Sequence, residues 1–257
     1  MNKLMNWHFD VQKGMYFDRY LSQENWSAFL SDIIEDEFWN YAVLPENCNL
    51  PDVLPDLEKM FATVERTPSV YIINGENCPD VIKYLEQNNY KKMSEESFMV
   101  FDSQLPMQMN KDMLIKQVMD DKTTQDFIEV FLSAYGGEKT PEQPYGELNK
   151  TYLDALTRSF ENSEKFIHFV CYKGNTPVSV ATLCFEKGKG GLYNVGTMPD
   201  SRGKGHGTAV TIACINEWKK RCGKVLFLQT ETGSAVEQWY YKLGFKLGFV
   251  GSIFCKE

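Results

Sequence analysis

Apolar residues recur along this chain with two periods, and the change from one to the other predicts its layout. Thr124 can cap a helix that carries Phe127, Ile128, Phe131 and Leu132, and Glu147 to Phe160 repeats the helical spacing at Leu148, Tyr152, Ala155 and Leu156. Strand patterns follow. Phe166 to Tyr172 reaches the turn signal Lys173-Gly-Asn-Thr176, and Val178 to Phe185 returns from it. Lys187-Gly-Lys-Gly190 reverses the chain again into Leu192 to Thr197, so three consecutive antiparallel strands are expected. A helix from about Gly205 to Arg221 comes next, with Gly223 in the place of a left-handed cap. Lys224 to Thr230 reads as a buried strand, Ala235 to Leu243 as a helix and Phe245 to Phe254 as the closing strand. Helix, helix, three strands, helix, strand, helix, strand is an α+β plan with one late parallel crossover.

A linker is expected at Phe101 to Asn110, where an apolar run gives way to Pro106 and polar residues. It divides the 257 residues into domains at 1–105 and 106–257. Charge divides at the same place, with 18 Asp/Glu against 8 Lys/Arg before it and 17 against 19 after it. A pI of about 5.1 with neither half strongly basic excludes generic nucleic-acid binding. No run of about 18 apolar residues predicts a membrane helix, and the first residues carry no apolar signal core. The seven cysteines form no C-x-x-C, and the histidines are only His8, His168 and His206. A cytoplasmic protein with reduced thiols and no metal is the expectation.

The candidate chemistry lies between the strand ending at Thr197 and the next helix, in Met198-Pro-Asp-Ser-Arg-Gly-Lys-Gly-His-Gly-Thr208. Glycines at 203, 205 and 207 let successive backbone N–H groups point into one concavity at a helix N-terminus, which suits a phosphate or diphosphate. Arg202, Lys204 and His206 interleave with them, although a flexible turn with solvated charges would look similar. A Walker loop is excluded by spelling, since no glycine here is followed by Lys and then Ser or Thr. A G-x-G-x-x-G fingerprint fails at Thr208.

Arg202-Gly-Lys-Gly-His-Gly207 does fit Gln/Arg-x-x-Gly-x-Gly/Ala, the acyl-CoA loop of the GNAT superfamily of N-acetyltransferases, and Pro199 stands where that family often has one. Trp239-Tyr-Tyr-Lys-Leu-Gly-Phe245 resembles the family's second landmark, an aromatic helix ending in a glycine turn. The resemblance implies a mixed, mostly antiparallel sheet flanked by helices over 106–257. It implies acetyl-CoA as co-substrate, held at its diphosphate by backbone N–H groups of Gly203, Lys204, Gly205, His206, Gly207 and Thr208 beside Arg202. Val195, Gly196 and Thr197 would pair with the pantetheine amides, in an opening between this strand and the one at 224–230. Tyr240, four residues before Gly244, matches the general acid. No general base is apparent: Glu186 and Glu231 are candidates by position alone, and water-mediated deprotonation is equally open. Lys219-Lys-Arg221 could reach a 3′-phosphate, although a helix dipole explains three cations in a last turn.

Residues 1–105 hold no such loop, but Ser69 to Ile73 followed by Pro79 to Tyr90 echoes Val225 to Leu228 followed by Ala235 to Phe245, with Leu85 on Tyr240 and Asn89 on Gly244. A second, N-terminal α/β domain of degenerate GNAT type is expected from this, with an unrelated helical cap as the alternative. The function read from the whole is transfer of an acetyl or other acyl group to a primary amine of a small molecule or peptide. The other readings are a non-catalytic acyl-CoA sensor and, more weakly, a nucleotide-dependent oxidoreductase. Acceptor contacts are expected around 135–150. Neither the acceptor nor the oligomeric state is legible.

Overall fold

The computed structural model describes residues 3–44, 49–102, 113–137, 148 and 150–257. Most of the expected linker and of the expected acceptor segment lies outside the described residues. The chain forms two compact units, one of Met1–Val100 with Gln229–Glu257 and the other of Phe101–Leu228.

The second unit begins with β6 and follows the plan read from the sequence. Its elements are β6 (Leu114–Gln117), α4 (Asp121–Tyr135), α5 (Lys150–Ser159), β7 (Phe166–Lys173), β8 (Thr176–Glu186), β9 (Lys189–Thr197), α6 (His206–Lys220) and the first residues of β10 (Val225–Glu231). Strand order is β10-β9-β8-β7-β6. All pairings are antiparallel except β9 with β10. This is the expected hairpin succession with one late crossover, and β6 is an addition. Asp120, not Thr124, caps α4: its carboxylate accepts from the Thr123 amide while Thr123 Oγ1 accepts from the Asp120 amide. Such a cap contributes about 1 kcal/mol. Phe127, Val130 and Phe131 on α4 pack with Leu156, Val170, Tyr172 and Val180 in the unit's core. The left-handed residue after α6 is Cys222 (φ 53°) rather than Gly223; glycine is required at 223 because a Cβ there would overlap the Trp218 indole.

The first unit contains α1 (Lys3–Gln12), β1 (Arg19–Ser22), β2 (Ser27–Leu30), β3 (Tyr41–Val43), α2 (Leu50–Thr63), β4 (Ser69–Ile73), α3 (Pro79–Gln87) and β5 (Tyr90–Phe101, up to Val100), together with the end of β10, α7 (Ala235–Lys242) and β11 (Phe245–Lys256). Strand order is β1-β2-β3-β4-β11-β5. Helix α2 buries Leu50, Val53, Leu54, Leu57 and Phe61, an i, i+3, i+4, i+7 stripe, at roughly 1.5–3 kcal/mol for each large side chain. Strands β4 and β5 lie within 60–105, where a helical cap would have none. The C-terminal boundary differs from the sequence reading. Residues 229–257 pack with the first hundred because β11 pairs antiparallel with β4, from Gly251↔Ile73 to Cys255↔Ser69. Asn89 (φ 64°) and Gly244 (φ 88°) both turn left-handed after their helices, and Tyr90 and Phe245 open the next strands fully buried.

Candidate functional site

Strand β9 carries the first part of the site. Its ladder with β8 runs in register from Glu186↔Lys189 to Thr182↔Tyr193 and then shifts, so that Val180 faces Gly196 and Ser179 faces Thr197. The extra residue makes a β-bulge around Asn194, which has φ +53°. On its other edge β9 pairs with β10 only at Lys189, Gly190 and Gly191, although the strand continues to Thr197.

The bulge is tied into the core by a polar chain that the sequence reading missed. Asn194 Nδ2 donates to Thr182 Oγ1 (3.2 Å), Thr182 Oγ1 is 2.9 Å from His168 Nδ1, and His168 Nε2 is 3.1 Å from Ser159 Oγ. Ser159 in turn donates to the Leu156 carbonyl. Because the Ser159 hydroxyl is committed to that carbonyl, its oxygen accepts from His168 Nε2–H, and Thr182 donates to Nδ1. A neutral imidazole satisfies every member, and burial holds the His168 pKa down at about 3. Asn within a strand pattern was the available signal, since Asn tolerates left-handed φ and weakens a strand.

The loop after β9 is a single turn of 3₁₀ helix, Pro199–Ser201, followed by Arg202 and then by Gly203 and Gly205 at φ +73° and +84°. Helix α6 starts at His206 with Gly205 as N-cap and no side-chain cap. The Ala209 amide makes the first helical bond, to Gly205 O (3.0 Å), so the amides ahead of it form the N-terminal donor set of a 15-residue helix. A Cβ at Gly203 would meet nothing within 4 Å, which leaves open space over the loop backbone. These features fit a diphosphate.

The three basic side chains do different work. Arg202 Nε donates to Thr197 O (3.2 Å) and Nη2 to Ala134 O (3.4 Å), tying the loop to the ends of β9 and α4. Lys204 Nζ donates to Asp200 O. His206 is turned inward, its Nδ1 3.8 Å from the buried Cys171 thiol, and burial first, then Lys173 and Lys204, hold its pKa down. Only its amide belongs to the concavity.

Tyr240 lies on α7, in the other unit. It is buried, with its ring 4.6 Å from Trp239 and edge-on to Phe245 at 5.5 Å. Helix α7 is fixed at its start by Ser234 Oγ, which accepts from the Glu237 amide, and by the buried Glu237 carboxylate, which accepts from Ser97 Oγ (2.6 Å) and the Gly233 amide (2.9 Å). Two position-based candidates fall away. Glu186 sits at the hairpin end of β8, opposite Lys189 and beside Lys187, with the whole of β9 between it and the loop. Lys219, Lys220 and Arg221 end α6, about 20 Å from its N-terminus at 1.5 Å per residue. Arg221 and Lys220 pair there with Glu217, and Lys219 lies over Phe101. Glu231, at the end of β10, is exposed. Among the described residues no group of three or more His, Cys, Asp or Glu could hold a metal ion, and no helix is long and apolar enough to cross a membrane.

Residues 164–247, from just before β7 to the first residues of β11, match the family model described as an acetyltransferase (GNAT) domain. Over that third of the chain the sequence is similar to a GNAT acetyltransferase domain. No curated protein matches the chain in sequence. Solved structures resemble the fold over nearly its full length. A GCN5-related N-acetyltransferase from Kribbella flavida has TM-score 0.70 at 16% identity, covering 98% of this chain and 94% of that one. A functionally unknown conserved protein from Staphylococcus epidermidis has TM-score 0.69 at 11% identity, covering 95% of each chain. A tandem GNAT protein from the clavulanic acid biosynthesis pathway has TM-score 0.61 at 8% identity, covering 90% of this chain and 78% of that one. These likenesses establish a mixed α+β GNAT-like fold with a mostly antiparallel sheet flanked by helices.

Proposed function

We propose that this GNAT domain transfers an acetyl group from acetyl-CoA to a primary amine of a small molecule or peptide. The observation that carries the reading is the coincidence, on one strand, of a bulge, an edge that parts from its neighbour after Gly191, and a glycine-rich turn into α6. In this reading the amides of Gly203 to Thr208 hold the diphosphate and the open edge at Val195, Gly196 and Thr197 receives the pantetheine as an added strand. The bound co-substrate supplies a thioester as the electrophile. A backbone N–H at the bulge serves the oxyanion that develops when an amine attacks. Tyr240 donates a proton to the departing sulfur, the role that the resemblance of its helix implies. The amine loses its proton through water, since the strand before the loop carries no carboxylate. We also propose that residues 1–105 descend from a second, degenerate GNAT domain, with Leu85 at the position of Tyr240 and so without a proton donor.

The test is a thermal-shift screen with CoA and its esters, followed by thiol release from acetyl-CoA across an amine library. Stabilisation by CoA with acceptor-dependent thiol release is expected. Stabilisation without release from any amine identifies an acyl-CoA sensor, and stabilisation by NAD but not by CoA overturns the reading.

A further inference from the structure

The open edge of β9 is not bare. The pair Val180↔Gly196 and the Met198 amide bond to Val178 O (2.9 Å) turn Gly196 and Met198 toward β8. Peptide groups alternate along a strand, so the carbonyls of Val195 and Thr197 face the opposite edge, where the ladder with β10 has ended. Side chains take both carbonyls. Tyr135 Oη donates to Val195 O (2.9 Å) and Arg202 Nε to Thr197 O (3.2 Å).

Tyr135 is the last residue of α4, and its position is set by close packing. Its ring lies 4.9 Å from that of Phe131, and the helix end rests on Gly196, where a Cβ would come within 2.8 Å of Ala134 Cβ and 3.1 Å of the Tyr135 ring. Any side chain at 196 would push this end of α4 off the strand. Arg202 Nη2 holds the same turn through the Ala134 carbonyl. The Tyr135 residue nonetheless remains 45% exposed.

We propose that Tyr135 is an affinity-setting latch of the donor site: its hydroxyl occupies the strand carbonyl that a pantetheine amide must reach, so acyl-CoA binds by exchanging one hydrogen bond for another. This rests on the acyl-CoA reading above. The hydroxyl mimics the amide donor of an added strand, and binding therefore gains less at Val195 than at a vacant carbonyl. The prediction is contrary to that for an ordinary ligand contact, because removing the hydroxyl tightens binding.

Calorimetry on the full chain tests this with two ligands that share the nucleotide and differ in the arm. Tyr135→Phe keeps the ring on Phe131 and should lower the Kd for CoA about three- to tenfold, the range for one net hydrogen bond. The Kd for 3′-phosphoadenosine 5′-diphosphate, which lacks pantetheine, should stay within about twofold. Should the phenylalanine variant not fold, Tyr135→Leu removes the same hydroxyl and the same contrast is expected. Unchanged or weaker CoA binding, or equal tightening of both ligands, overturns the latch and leaves the acyl-CoA reading intact. Failure of the unaltered protein to bind CoA overturns both.

Discussion

Tyr240 and Leu85 each stand four residues before a left-handed residue that follows their helix, and of the two only Tyr240 has a hydroxyl that can donate a proton. Replacing Tyr240 with Phe should leave the ring packing on Trp239 and Phe245 in place while lowering kcat about 10²–10⁴-fold, the usual contribution of a positioned acid. Turnover measured at saturating acetyl-CoA and acceptor checks this, and an unchanged rate would exclude the role. At this scale the sequence was legible where a residue type has one use, as with glycine at positive φ in the loop. It was less so for direction. His206 looked like a third cation beside Arg202 and Lys204, but the phase of α6 puts it on the face of Ala209, Val210 and Ala213, which is buried. Tyr135 gave no signal, because a terminal helix aromatic is ordinary until its hydroxyl is seen on a strand carbonyl.

Among elements, the turn from β9 into α6 carries most of the proposed binding. Gly205 combines φ +84° with the N-cap position, and alanine there would be strained by about 1–2 kcal/mol. Gly205→Ala is therefore expected to raise the Kd for CoA about tenfold, read by calorimetry, with the fold retained by circular dichroism; an unaltered Kd would show that this turn does not hold the co-substrate. The helices and strands of residues 113–257 were legible because their apolar periods are long and their reversals are marked by glycine. Short β6 was missed, since four residues give too little alternation to separate a strand from a coil. The bulge was missed for a related reason: Asn194 sits inside an otherwise regular strand pattern, and its interruption only has meaning once the partner register is known.

For the whole molecule, pH acts through buried groups of opposite sign. Burial holds His8 and His168 at about 3, below their ordinary value of 6.5, so the unfolded chain takes up protons that the folded chain refuses between those limits. Stability then falls as pH drops through 6.5, by about 2 kcal/mol for each histidine at pH 5. Glu96 does the reverse. Burial pushes its pKa up to about 8, partly offset by the Gln229 amide at 2.7 Å, so the folded chain holds a proton that the unfolded chain has lost and stability declines as pH rises from 4.5 to 8. Melting temperatures should therefore peak between about pH 6 and 7, and Glu96→Gln, which keeps an acceptor for Gln229, should flatten the alkaline side alone. A curve that rises steadily to pH 8 would contradict the buried acid. Division into units was half legible: a composition shift marks 101–110, but nothing local to 229–257 reveals which strand it will join.

The placement of β11 between β4 and β5 has a consequence for biosynthesis. Residues 3–100 leave the ribosome well before residues 245–256, yet the gap in their sheet is filled by that later strand. Until it is made, two backbone edges await a neighbour that does not yet exist, and the nascent chain depends on reaching it before something else fills that gap.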